Sequence, residues 1–143
     1  MPLKGQSLIL QFVIFFIIGF TIFIGVSQLF SFQSDIFKGD VSIENLKLIN
    51  SYIASLSVAS VDSCKQCDYV NLTFKTMNTT AGNFFVTSLG SYGINVSIPF
   101  ATNLQFISSI HNLNESIQTG GSVISTKPLS LTFNKTENKL YIQ

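Results

Sequence analysis

Arginine and tryptophan are absent from this chain, histidine occurs once, at position 111, and cysteine only at positions 64 and 67. Charged residues are 10 % of the 143, and the formal net charge is +1. Each shortage excludes something. Lysines this thinly spread make no basic face for nucleic acid, and there is no acidic or basic tail. Two cysteines and one histidine fall short of the roughly four ligands of a structural zinc site. No glycine-rich phosphate loop occurs, and the many serines belong to no nucleophile-elbow motif. Asp62 and Asp68 flank the cysteines without the spacing of a calcium loop. His111 reads as a surface or turn residue. The expectation is a protein that is not an enzyme, with no catalytic residue, cofactor or metal. Solubility normally leans on charge, so an exposed domain this poor in it points to glycans or burial in an assembly.

The longest absence is local. Between Lys4 and Asp35 there is no ionisable side chain, and from Leu8 to Phe30 the non-apolar residues are Gln11, Gly19, Thr21, Gly25, Ser27 and Gln28. As a helix this run is about 34 Å long, enough to cross a hydrocarbon core of about 30 Å. It is apolar all round rather than along one stripe, so it suits lipid or copies of itself better than a globular core. Phe12, Phe16, Phe20 and Phe23 recur at helical spacing, while Gly19 and Gly25 are six apart and make no GxxxG motif. Lys4 before the run and Asp35 after it put the N-terminus in the cytoplasm and the C-terminal domain outside.

A secretory signal peptide has a shorter apolar region and then an A-x-A-like cleavage site. Here the run is too long, and no alanine precedes Ala54. The stretch Lys4-Gly5-Gln6-Ser7, followed directly by the apolar run, instead resembles the class III signal peptide of archaeal type IV pilin-like proteins. That resemblance covers about 25 residues of the leader and helix. It implies that a prepilin-type peptidase cuts between Gly5 and Gln6, leaving the apolar helix in the mature chain. The chain departs from the common pilin pattern at Leu10, where many members carry a glutamate; Gln11 is the nearest polar residue. An uncleaved signal anchor is the other reading.

Ser31 to Asp40 reads as a joint, with Asp40 or Ser42 as N-cap candidates. Beyond it Ile43, Leu46, Ile49 (with Asn50), Ile53 and Leu56 fall three or four apart on one helical face, widened by Leu48 and Tyr52. Glu44, Asn45, Lys47, Ser51 and Ser55 lie opposite. The helix is expected over residues 6 to about 58, its second half forming the inner wall of the globular domain. Cys64-Lys65-Gln66-Cys67 then interrupts. A thioredoxin-like centre would need a βαβ context that is missing. A short disulfide loop outside the cell is the main reading, with free or redox-active thiols as the alternative. Such a loop is too short to gain much chain entropy and would mainly hold the turn from helix to first strand.

After Cys67 the period switches from 3.6 to 2. Strands are expected at 69–74, 83–87, 92–98, 104–110, 122–125, 129–133 and 139–142, with a hairpin loop over 134–138. Turn signals lie at Thr80-Ala81-Gly82, Gly90, Gly93 and Gly120-Gly121. The expected class is α+β: a long N-terminal apolar helix, serving as membrane or filament core, then a small antiparallel β-sandwich packed on the helix's C-terminal half. The boundaries are 1–5 for the leader, 6–34 for the transmembrane or filament-core helix, 35–60 for its amphipathic continuation and 61–143 for the extracellular β-rich domain. Five N-x-S/T sequons, at Asn71, Asn78, Asn95, Asn114 and Asn134, are N-glycosylation candidates. Asn71 and Asn95 fall within expected strands, so their side chains must point outward to be used.

Two functions fit. One is a structural subunit of an archaeal type IV pilus-like surface filament, held in the membrane before assembly. Its partners would be lipid, the peptidase at Gly5, and copies of itself or related pilins. The other is a single-pass membrane-anchored extracellular β domain acting as a receptor, stator or envelope-binding module.

Overall fold

A computed structural model describes residues 3–91, 93–101, 103–110, 113 and 116–143, with side chains from Leu8 onward. The helix α1 (Leu3–Ser63) is followed by seven strands: β1 (Tyr69–Phe74), β2 (Val86–Gly90), β3 (Gly93–Ser97), β4 (Gln105–Ser108), β5 (Gln118–Ile124), β6 (Leu129–Asn134) and β7 (Lys139–Ile142). The chain divides into two compact units, one ending at Lys38 and the other spanning Gly39–Gln143.

In the first unit the helix is apolar, and every described side chain from Leu8 to Lys38 is exposed. Helical pairing runs unbroken through Gly39, so Asp40 and Ser42 lie inside α1 and cap no new helix, although the boundary between the two compact units falls within the expected joint, after Lys38. The helix also continues five residues past the expected end. Its last turns are rich in serine, and Ser55, Ser57 and Ser60 donate to the carbonyls of Ser51, Ile53 and Ser57 at 2.8–2.9 Å. Hydroxyls that bond back to the helix let a serine-rich segment stay helical without leaving polar groups stranded.

In the second unit the strands form one sheet in the order β1-β6-β7-β5-β2-β3-β4. Neighbours are antiparallel except β5 and β7, which run parallel with Gln118 opposite Lys139 and Gly121 opposite Ile142. The α+β class holds, with the sheet against the C-terminal half of α1. The two facing sheets of a sandwich do not: one sheet has its apolar side closed by the helix. Leu46, Ile49 and Ile53 from α1 share a core with Phe85, Leu89, Ile94, Val96, Leu131, Phe133, Leu140 and Ile142. Val70, Leu72 and Phe74 of β1 pack against its edge, and the alternation in each strand sends these residues to one side.

The second and fifth strands depart most from expectation. The second begins at Val86 rather than Asn83, because Thr80 and Asn83 close a turn on each other at 2.7 and 2.9 Å. Phe85 is then taken by Ser125, whose hydroxyl accepts its N–H and whose N–H donates to its carbonyl. The fifth begins at Gln118, so Gly120 and Gly121 lie inside β5 instead of forming a turn. Residues 118–121 pair with β7 and 122–124 pair with β2, and the change of partner falls at Gly121. There φ is +101°, and a Cβ would run into the Ile142 carbonyl oxygen, so only glycine fits the corner. The third and fourth strands are shorter than expected, Gly93–Ser97 and Gln105–Ser108; Tyr92, the expected start of the third, lies outside the described residues.

Candidate functional site

Two surfaces and one buried cluster carry the chemistry available for function. The first surface is the apolar helix. Thr21 donates its hydroxyl to the Ile17 carbonyl at 2.8 Å, which satisfies the group within its own helix. The helix is long and apolar enough to cross a membrane. At the proposed cut, Gly5 and Gln6 lie in the helical backbone, and their side chains fall outside the described set.

The buried cluster is centred on Asn50, which the periodicity placed beside Ile49 without a role. Asn50 is fully buried. Its amide Nδ2 donates to the Ile94 carbonyl of β3 at 3.0 Å and the Phe106 carbonyl of β4 at 3.3 Å, and its Oδ1 accepts from the Ser108 hydroxyl. One side chain of α1 thus clamps the β3–β4 edge of the sheet to the helix. Nearby Asn45 donates to Thr80 at 3.1 Å, and Tyr52 meets Phe74 edge-on with ring centres 5.6 Å apart. An asparagine amid apolar residues on a helix face was the signal to follow, because a buried amide needs partners.

Cys64 and Cys67 form a disulfide at the end of α1. Cys64 is buried in the core and Cys67 half-buried. The loop they close holds the β6–β7 turn: Lys135 donates its backbone N–H to the Asp68 carbonyl at 3.0 Å and its Nζ to the Lys65 carbonyl at 2.7 Å. The pair sits at a helix C-terminus, where the helix dipole gives a thiolate no help. Next to it, the Asp62 carboxylate accepts a hydrogen bond from Lys65 at 2.6 Å and raises that lysine above its ordinary range. Asp35–Lys38 and Glu44–Lys47 repeat the same three-residue spacing.

The second surface is the outer face of the sheet and its loops. Asn71 is exposed on β1, and its Oδ1 accepts from Ser130 at 2.6 Å, which leaves Nδ2 free to carry a glycan. Asn78 is exposed in the following loop. Asn134 is half-buried at the end of β6 and caps the next turn by accepting from the Glu137 N–H at 3.3 Å. Asn95 meets the outward condition poorly: its Oδ1 is buried without a hydrogen-bond partner on the half-covered face of β3. Asn114 and His111 lie outside the described residues. Phe100, at the tip of the β3–β4 loop, is 99 % exposed with φ at +72°, a placement that no sequence signal announced. Among the described residues no group of His, Cys, Asp and Glu could hold a metal ion.

Comparison with protein-family models, with curated proteins and with solved structures finds no match. What the geometry itself provides is a pilin-like architecture: a long N-terminal apolar helix, then a β-sheet packed on the helix's later turns.

Proposed function

We propose that this chain is a structural subunit of an archaeal type IV pilus-like surface filament, inserted in the membrane through its N-terminal helix before assembly. The observation that carries the reading is the unbroken exposure of an uncharged helix from Leu8 to Ser34, directly behind Lys4-Gly5-Gln6-Ser7. A helix apolar on every face is stable in lipid and equally stable among identical helices. In this reading a prepilin-type peptidase removes residues 1–5, the N-terminus faces the cytoplasm, and the β unit with its sequons is displayed outside. The role is one of assembly and display, without a reaction. Mass analysis of the mature N-terminus, together with the composition of fibres shed from cells, tests it. A chain beginning at Gln6 and present in the fibres supports the filament. A retained Met1 with all material in the membrane fraction overturns it.

That second outcome would favour a single-pass anchor carrying a receptor, stator or envelope-binding β domain. Leu10 supports this alternative, because the acid that many pilins carry there is missing.

A further inference from the structure

We infer that the membrane-inserted chain forms a parallel, in-register pair with a second copy of itself along one seam of α1. This rests on the membrane-inserted part of the reading above. The seam is Val13, Phe16, Phe20, Phe23, Ser27, Phe30, Ser34 and Phe37, spaced alternately three and four residues apart. That is the 3.5-residue repeat that keeps one stripe of a helix facing a partner over many turns. Four of its members, Phe16, Phe23, Phe30 and Phe37, recur every seventh residue and are 67–71 % exposed. A helix that meets only lipid needs no such period, because lipid surrounds it equally.

From Ser27 on the seam alternates large and small: Phe23, Ser27, Phe30, Ser34, Phe37. Small residues let two membrane helices approach closely and leave holes for the partner's rings. The two serines also differ from Thr21. Thr21 bonds back to its own helix, but among the described residues neither the Ser27 nor the Ser34 hydroxyl has an intramolecular hydrogen-bond partner. Each is free to donate across an interface.

The uncharged run from Leu8 to Phe30, about 34 Å of helix, fills about 30 Å of hydrocarbon by itself. The seam goes on past it to Ser34 and Phe37, beside Asp35 and Lys38, and Phe37 is 70 % exposed there, where a second copy in register would cover it. No ionisable group lies between Lys4 and Asp35 to repel a second copy. In register, all four heptad phenylalanines meet their counterparts; a shift of seven residues strands one ring at each end.

The test is oxidative cross-linking of the full-length chain in native membranes, one introduced cysteine at a time. Cys64 and Cys67 are already joined, so the new thiol is the reactive one. Ser27→Cys, Phe30→Cys and Ser34→Cys should give a homodimer in roughly tenfold higher yield than Gln28→Cys and Phe32→Cys, because only the seam brings Cα atoms within disulfide reach. The two serine replacements are nearly isosteric, so a folding defect would not hide the result. A flat profile, a maximum at 28 and 32, or a cross-link to a different protein overturns the pair. The mature N-terminus read on the same samples separates the two ideas. A chain starting at Gln6 with a flat profile keeps the filament and removes the pair; a retained Met1 with a periodic profile does the reverse.

Discussion

Replacing Asn50 by alanine removes three hydrogen bonds at once, since its amide serves Ile94 and Phe106 and its oxygen serves Ser108. At about 1 kcal/mol net per bond the loss is about 3 kcal/mol, and the unpaired Ser108 hydroxyl and the new cavity raise it to about 4 kcal/mol. A domain of this size has about 5–15 kcal/mol in total. With a melting shift of about 4–8 °C per kcal/mol, the midpoint should fall by about 15–30 °C. The fragment Gly39–Gln143 suits the measurement, because it contains the buried core of the described residues and none of the apolar run. Urea and thermal unfolding of Asn50→Ala and Asn50→Leu should be read beside Ser51→Ala, whose side chain is exposed one position along. Asn50→Leu keeps the volume but not the bonds, so its loss should approach that of alanine. Amide exchange should rise first in β4, the edge strand that the clamp holds. If Asn50→Ala and Ser51→Ala differ by less than about 0.5 kcal/mol, the clamp contributes nothing and the helix–sheet contact is apolar alone.

Ile53 is fully buried against the sheet, so Ile53→Ala should lower stability by about 2–5 kcal/mol in the same unfolding experiment. An unchanged midpoint would mean that α1 does not wall the core. Gly121→Ala should cost more than an ordinary surface change, about 2 kcal/mol or above, because the backbone is left-handed there and a Cβ meets the Ile142 carbonyl; Gly90→Ala, in open space at the end of β2, is the control. In cells, Gly5→Val should leave the full-length precursor in the membrane and no filament. Normal processing of that variant would remove the peptidase from the account.

Much of the fold was legible before the structure because it depends on short-range pattern. The period of two in Tyr69-Val70-Asn71-Leu72-Thr73-Phe74 set β1 to the residue, and Lys139–Ile142 likewise set β7. These strands alternate between a core and an exposed face, which is what periodicity reports. Asn83 and Gly120-Gly121 misled for two different reasons, a competing local turn in the first case and a partner distant in sequence in the second. Asn83 is lost to a turn with Thr80, Phe85 is held by Ser125, and the diglycine is a strand corner set by Ile142. Asn50 was visible as a residue but not as a clamp, because its acceptors lie 44 and 56 residues along the chain.

The sequence by itself determined the helix that is apolar on all sides, the switch from helix to strands after the cysteines, and the spacing that allows a disulfide loop. These follow from composition and from contacts a few residues apart. Only the tertiary structure decided that seven strands make one sheet rather than two. It also decided that β5 runs parallel to β7, and that a buried asparagine ties the β3–β4 edge to α1. Strand order and partner choice depend on closing long loops around a shared core. An alternating strand carries the same pattern whichever neighbour it takes.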